Sequence, residues 1–160
     1  MPDGYTLVHC NTEALPAAAI DDAIAILRSG GAVDVNAARL GIPAATVLFF
    51  LHHHDKLAGL GAIKESRPQY NLKIRKKSGY ELDSSMLELG YVAIGSEHRG
   101  QRLSGKIVDA LLAAYDGALF STTDDKLMKS TLTHRGFDQR GTEWTGDRKP
   151  LSLWLRKSGS

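Results

Sequence analysis

Apolar positions along this chain keep two rhythms, a period of two that marks strands and a period near four that marks helices. Tyr5 to His9 alternates and is rich in β-formers, so it predicts a first strand. Pro16 suits the first turn of a helix, and Ile20, Ala23, Ile24 and Leu27 then follow the helical interval up to a stop at Gly30-Gly31. A short helix over Val35 to Leu40 comes next. Ala45 to Leu51 and Leu57 to Lys64 read as strands, and the polar turn His54-Asp55-Lys56 makes them a hairpin. Ser66 to Met86 is the longest irregular stretch, and Lys73-Ile-Arg75-Lys-Lys77 within it reads as an exposed edge strand blunted by lysines. Glu88 to Ile94 is apolar, aromatic and β-branched, as a buried strand is. Leu103, Ile107, Leu111 and Tyr115, spaced by four, then mark the apolar stripe of a helix. Ala118 to Ser121 is a strand, and Asp124-Asp125 caps a helix that runs to about His134 and is closed by Gly136. Phe137 to Trp144 and Leu151 to Leu155 are the last strands, joined at Gly146-Asp147. The resulting order is β-α-α-β-β-β-α-β-α-β-β.

Chemistry concentrates between the central strand and its helix, where a short turn carries Arg99, Gly100, Gln101 and Arg102. The first N–H groups of a helix have no internal partner, and its dipole adds partial positive charge there. A strand, a glycine-containing basic turn and a helix in that order form a phosphate-binding arrangement.

Composition narrows the remaining choices. At 160 residues, with 42% hydrophobic and 24% charged, the chain reads as one globular domain over 1–160, with 158–160 as a disordered tail. No apolar run reaches about 18 residues, which argues against a membrane span, and the N-terminus lacks the pattern of a secretory signal. Cys10 is the single cysteine, which fits a reducing cytoplasm, and it reads as a small buried residue. A net charge of +2 is too small to point to nucleic acid. His52-His53-His54 invites a metal reading, but alternation on a strand allows at most His52 and His54 one face, with Asp55 as a third ligand. No further His or Cys cluster completes such a site, so no metal is expected.

The segment Val92-Ala93-Ile94 followed by Glu97-His98-Arg99-Gly100-Gln101-Arg102-Leu103-Ser104 resembles the acyl-CoA-binding motif of the GNAT superfamily of N-acetyltransferases. That motif, Arg/Gln-x-x-Gly-x-Gly/Ala, falls on Arg99, Arg102 and Ser104; Arg102 stands in place of a glycine and Ser104 in place of a glycine or alanine. Downstream, Gly136-Phe137 resembles the Gly-Phe signature that follows the last helix of the superfamily. The resemblance implies an α/β (α+β) fold: a mixed, mostly antiparallel twisted sheet of about seven strands, a splayed central strand pair and about four helices.

It also implies a site. Val92, Ala93 and Ile94 would offer main-chain groups to the pantetheine arm of acetyl-CoA, as an added strand would receive them, with one N–H facing the thioester oxygen. Arg99, Gly100, Gln101, Arg102, Leu103, Ser104, Gly105 and Lys106 would hold the pyrophosphate. Arg102 must then turn its side chain outward, free to join Lys106 on a phosphate. Glu88, four residues before Val92 on one strand, occupies the relation borne by the catalytic glutamate of some histone-type members; as a carboxylate on an apolar strand it is the expected general base. The tyrosine that often protonates the leaving thiolate is replaced by Leu132, and His134 and Tyr91 match no motif position. The expected function is acetyl-CoA-dependent N-acetylation of a small-molecule or peptide amine, with an aminoacyl-tRNA amine as a further acceptor type of the family. The first two helices would wall the acceptor site, and Lys73 to Lys77 could attract an anionic acceptor or the CoA phosphates. A homodimer is a habit of the family. The competing expectation is a non-catalytic acyl-CoA-binding or protein-interaction module on the same fold.

Overall fold

The computed structural model describes residues 1–30 and 34–159. Seven strands and five α-helices follow one another as β1 (Tyr5–His9), α1 (Ala17–Gly30), α2 (Val35–Gly41), β2 (Val47–His53), β3 (Lys56–Lys64), α3 (Pro68–Ser78), β4 (Leu87–Ile94), α4 (Leu103–Ala114), β5 (Leu119–Thr123), α5 (Lys126–Thr133), β6 (Asp138–Trp144) and β7 (Leu151–Arg156). The strands form one sheet in the order β1-β2-β3-β4-β5-β7-β6. Pairing is antiparallel at β1–β2, β2–β3, β5–β7 and β6–β7. It is parallel at β4–β5, where it covers only Leu87↔Leu119 and Glu88↔Phe120. The seven strands of the expected element order are present, as is the mixed, mostly antiparallel sheet.

Three expectations are corrected. The stretch taken as irregular, with an edge strand at Lys73 to Lys77, is the helix α3. Pro68 opens it, and Gly79, left-handed at φ 76°, closes it with its N–H donating to the Arg75 carbonyl at 2.9 Å. Only Ile74 and Ser78 are buried along it, so its apolar stripe is too thin to show as a period, and Arg75, Lys76 and Lys77 fall in the last turn, where the helix dipole favours cations. The last expected position of α4, Tyr115, is extended (φ −149°, ψ 118°) and lies just past the helix end. The histidine turn is shorter than expected, because β3 already begins at Lys56. Of the Gly30-Gly31 helix stop, Gly30 is the last residue of α1 and Gly31 lies outside the described residues.

The chain divides into two compact units: Met1–Lys64 with Gly90–Tyr115, and Glu65–Leu89 with Asp116–Ser160. The boundary runs through β4.

In the first unit, Ala23, Ile24 and Leu27 of α1 pack with Ala38, Ile42, Leu48, Phe50, Leu60 and Ala62 in one core. Helix α4 packs on β2 and β3. It can approach closely because Gly61 has no side chain: a Cβ there would fall inside contact distance of Ile107 and lie 3.1 Å from Leu111. In the second unit, Ile74 of α3 packs with Leu82, Phe120, Trp144 and Leu153. Asp125 caps α5 as expected, its carboxylate accepting from the Met128 N–H at 3.0 Å. Arg148 donates twice to Asp124, at 2.8 and 3.2 Å, and so ties the β6–β7 connection to the start of α5. Gly159 donates its N–H to the Asp116 carbonyl at 3.0 Å, so the expected disordered tail is bonded at this residue; Ser160 lies outside the described residues. No helix among the described residues is long and apolar enough to cross a membrane.

Candidate functional site

The second half of β4 is bent by Tyr91, which is left-handed at φ 55°. A non-glycine residue in that region costs about 1–2 kcal/mol, so its surroundings must hold it there. They do: the Tyr91 ring packs in the α1-side core, its hydroxyl fills the space where a Gly41 side chain would stand, and Lys64 Nζ lies 4.5 Å from the ring centroid. Beyond the bend the residues alternate. Ala93 joins Tyr91 on the α1 side, whereas Val92 meets the Gly61 position and Ile94 the Gly59 position under α4. Gly95 closes the strand by donating to the Ala58 carbonyl at 2.7 Å.

The turn that follows returns to the strand. Arg99 Nε donates to the Ile94 carbonyl at 3.2 Å, so the last expected strand residue and the first expected turn residue are in contact. Gly100 is left-handed at φ 83°, a conformation free of cost only for glycine. Arg102 is left-handed too, at φ 59° and ψ 27°, and stands at the N-cap of α4 without a side-chain cap bond. It adopts the conformation that the motif's glycine would hold more cheaply, and its side chain is exposed, as expected. Leu103 and Gly105 are buried, Ser104 is half-buried, and Gln101 and Lys106 are exposed. Arg102 makes no side-chain bond to the N–H groups that open α4, and a left-handed residue passing into a helix makes a main-chain concavity suited to an anion.

Glu88 lies in the second unit, in the half of β4 that pairs with β5. It is 7% exposed and stands opposite Phe120. Tyr70 of α3 packs against the cluster around Phe120, and its hydroxyl lies 2.6 Å from Thr122 Oγ1. Burial first, and then the negative charge of Glu88, pushes the Tyr70 phenol up to about 12. Leu132, where a tyrosine would serve as acid, is 0% exposed and belongs to the core. His134 is tied to its own helix, with Nδ1 2.7 Å from the Ser130 carbonyl. Among the described residues no group of three or more His, Cys, Asp or Glu is arranged to hold a metal ion. His54 is left-handed at φ 54°, which brings its ring against His53 (centroids 4.4 Å) rather than His52. Cys10 is half-buried, and burial raises its thiol pKa.

Two features of this region had no clear trace in the sequence. One is the bend at Tyr91, a residue whose type favours a regular strand. The other is Tyr5, whose hydroxyl reaches His98 Nδ1 at 2.7 Å and Gln101 Nε2 at 3.1 Å, 93 and 96 residues on.

No protein-family model matches the chain, and no curated protein matches it by sequence. Solved structures do match. An acetyltransferase of the GNAT family from Streptococcus agalactiae is similar at a TM-score of 0.68 and 14% identity, over 99% of this chain and 98% of that one. A ribosomal-protein-alanine N-acetyltransferase from Brucella melitensis is similar at a TM-score of 0.65 and 13% identity, over 95% and 99%. Escherichia coli ElaA is similar at 0.65 and 12%, over 96% and 98%. The fold of this chain is therefore that of the GNAT acetyltransferases.

Proposed function

We propose that this chain is an acyl-CoA-dependent N-acyltransferase that uses acetyl-CoA and acts on a primary amine. The observation that carries the reading is the run from β4 through the turn into α4. The Arg99 side chain bonds back to Ile94, and Gly100 and Arg102, both left-handed, precede an N-terminus with open N–H groups. The GNAT fold supports the same assignment. The pyrophosphate takes the N–H groups of residues 99–106, with Arg102 and Lys106 exposed beside it. Val92, Ala93 and Ile94 supply main-chain partners for the pantetheine arm, and one of their N–H groups polarises the thioester carbonyl.

Glu88 is the general base. It takes a proton from the ammonium, and the free amine attacks the thioester carbonyl carbon. The tetrahedral intermediate gives its extra nitrogen proton to solvent and collapses with loss of the CoA thiolate, which takes a proton from solvent and leaves as the thiol. Acetyl-CoA presented with small amines, peptides and charged tRNA should give amine-dependent thiol release, and the productive member of the panel defines the acceptor class. Sizing of the active protein reads the homodimer that the family's habit suggests.

One observation favours a second reading, a binding module without catalysis: the usual acid position is filled by the buried Leu132. Acetyl-CoA binding without thiol release from any acceptor would select it.

A further inference from the structure

Beside the phosphate turn, on the first unit, lies a cluster with no part in the chemistry above. Tyr5 of β1 faces His53 of β2 in the antiparallel register, with ring centroids 4.5 Å apart. His98, just before Arg99, stands 5.1 Å from His53 and edge-on to Tyr5 at 5.5 Å. His54 lies against His53 as well, tilted, with ring centroids 4.4 Å apart. Gly4 gives them room: it is left-handed at φ 86°, and a Cβ there would lie 3.0–3.1 Å from the His53 and His54 rings. Hydrogen bonds tie the cluster to the turn. Gln101 Nε2 can only donate, so the Tyr5 oxygen accepts from it at 3.1 Å. The Tyr5 oxygen also lies 2.7 Å from His98 Nδ1, where the imidazole can donate or accept according to its tautomer. The charges that bear on His53 come from His54 and His98, and after partial burial they hold its pKa below the ordinary histidine value. Glu97 and Arg99 flank His98 in the chain. Among the described residues no carboxylate forms an ion pair with any of the three rings.

The three rings crowd one another, so a proton on one disfavours a proton on its neighbour. An anion placed beside them offsets that penalty, because a nearby negative charge favours the protonated form. We propose that Tyr5, His53, His98 and Gln101 form a proton-accepting brace on the phosphate turn, so that seating a CoA pyrophosphate there is coupled to proton uptake by the histidine pair. A protonated His98 donates from Nδ1 to the Tyr5 oxygen, which has a second lone pair beside the one that Gln101 uses. The brace thus survives both states, and Tyr5 and Gln101 act as positioning residues. This rests on the reading of residues 99–106 as the acyl-CoA phosphate turn.

The test uses dephospho-CoA, whose pyrophosphate does not titrate near neutrality, in calorimetric titrations at pH 6 and pH 8 and in two buffers of different ionisation enthalpy. Expected are net proton uptake at pH 7 and about tenfold tighter binding at pH 6 than at pH 8. His98→Asn should keep the pH 8 affinity and lose most of the gain at pH 6. Tyr5→Phe should weaken binding about fivefold at both values, in line with the loss of hydrogen bonds that orient the turn. Binding with equal affinity at both values and no buffer-dependent heat would overturn the coupling and leave the phosphate-turn reading intact. No binding by the wild-type protein at millimolar ligand would overturn that reading, and the coupling with it.

Discussion

Helices α4 and α3 are nearly the same length, 12 and 11 residues, and are held by opposite means. Helix α4 buries Leu103, Ile107, Val108 and Leu111 and sits where β3 offers glycine. Its position depends on apolar contact, which neither pH nor salt disturbs much. Helix α3 buries only Ile74 and Ser78 and is tied to β5 by one polar link, Tyr70 to Thr122 at 2.6 Å, while Ser78 Oγ on the Ile74 carbonyl at 2.7 Å and Ser66 on Asn71 at 2.6 Å brace its own two ends. In the proposed function, α4 presents main-chain donors that must stay in place to receive a phosphate, whereas Tyr70 of α3 feels the charge of the buried Glu88, the proposed base. A dry, close-packed support suits the first task, and a hydrogen-bonded, titratable one suits the second.

That contrast can be broken at either end. The largest effect is expected at Glu88. Glu88→Gln should lower turnover by about a thousandfold while leaving acetyl-CoA affinity within a factor of two, the range expected for loss of a general base; equal loss of both would mean that the residue is structural. The α3 region should also be alkali-sensitive. Tyr70 titrates at about 12 in the folded chain and near its ordinary value of 10 when unfolded. Below pH 10 both states keep the proton. Between pH 10 and about 12 the unfolded chain loses it first, so stability should fall by up to about 3 kcal/mol. Denaturant melts at pH 9 and 11 measure this, and Tyr70→Phe should flatten the difference.

Smaller effects are expected from packing and backbone. Gly61→Val should cost about 2 kcal/mol by forcing α4 off β3, and should weaken acetyl-CoA binding in proportion as the turn moves. Loss of stability with unchanged binding would separate the turn from the packing beneath it. Arg102→Gly should raise stability by about 1 kcal/mol, since glycine relieves the left-handed strain at the α4 N-cap. No gain in the denaturation midpoint would mean that the strain is already offset.

Strands β2, β3, β4, β5 and β7 were legible because burial leaves apolar runs in them, and β1 and β6 through their β-forming residues and the turns around them. Helix α4 was legible through its apolar stripe, and the turn before it through Arg99 and Gly100. Helix α3 was not: with one apolar stripe of Tyr70, Ile74 and Ser78, its basic outer face masked the period, although Pro68 and Gly79 marked both ends. The Tyr91 bend escaped as well, since its cause is tertiary, a ring seated on Gly41 beneath Lys64. Tyr5 read as an ordinary strand residue because its partners His98 and Gln101 lie more than ninety residues away. Sequence patterns report local periodicity, and a long-range hydrogen bond leaves none.

The most direct measurement is amide hydrogen exchange, residue by residue, with and without saturating acetyl-CoA. Expected is new protection at Val92 to Ile94 and at residues 99–106, with the rest of α4 unchanged. Binding that protects other segments and leaves 99–106 exchanging as before would contradict the assignment of this turn to the acyl-CoA phosphates.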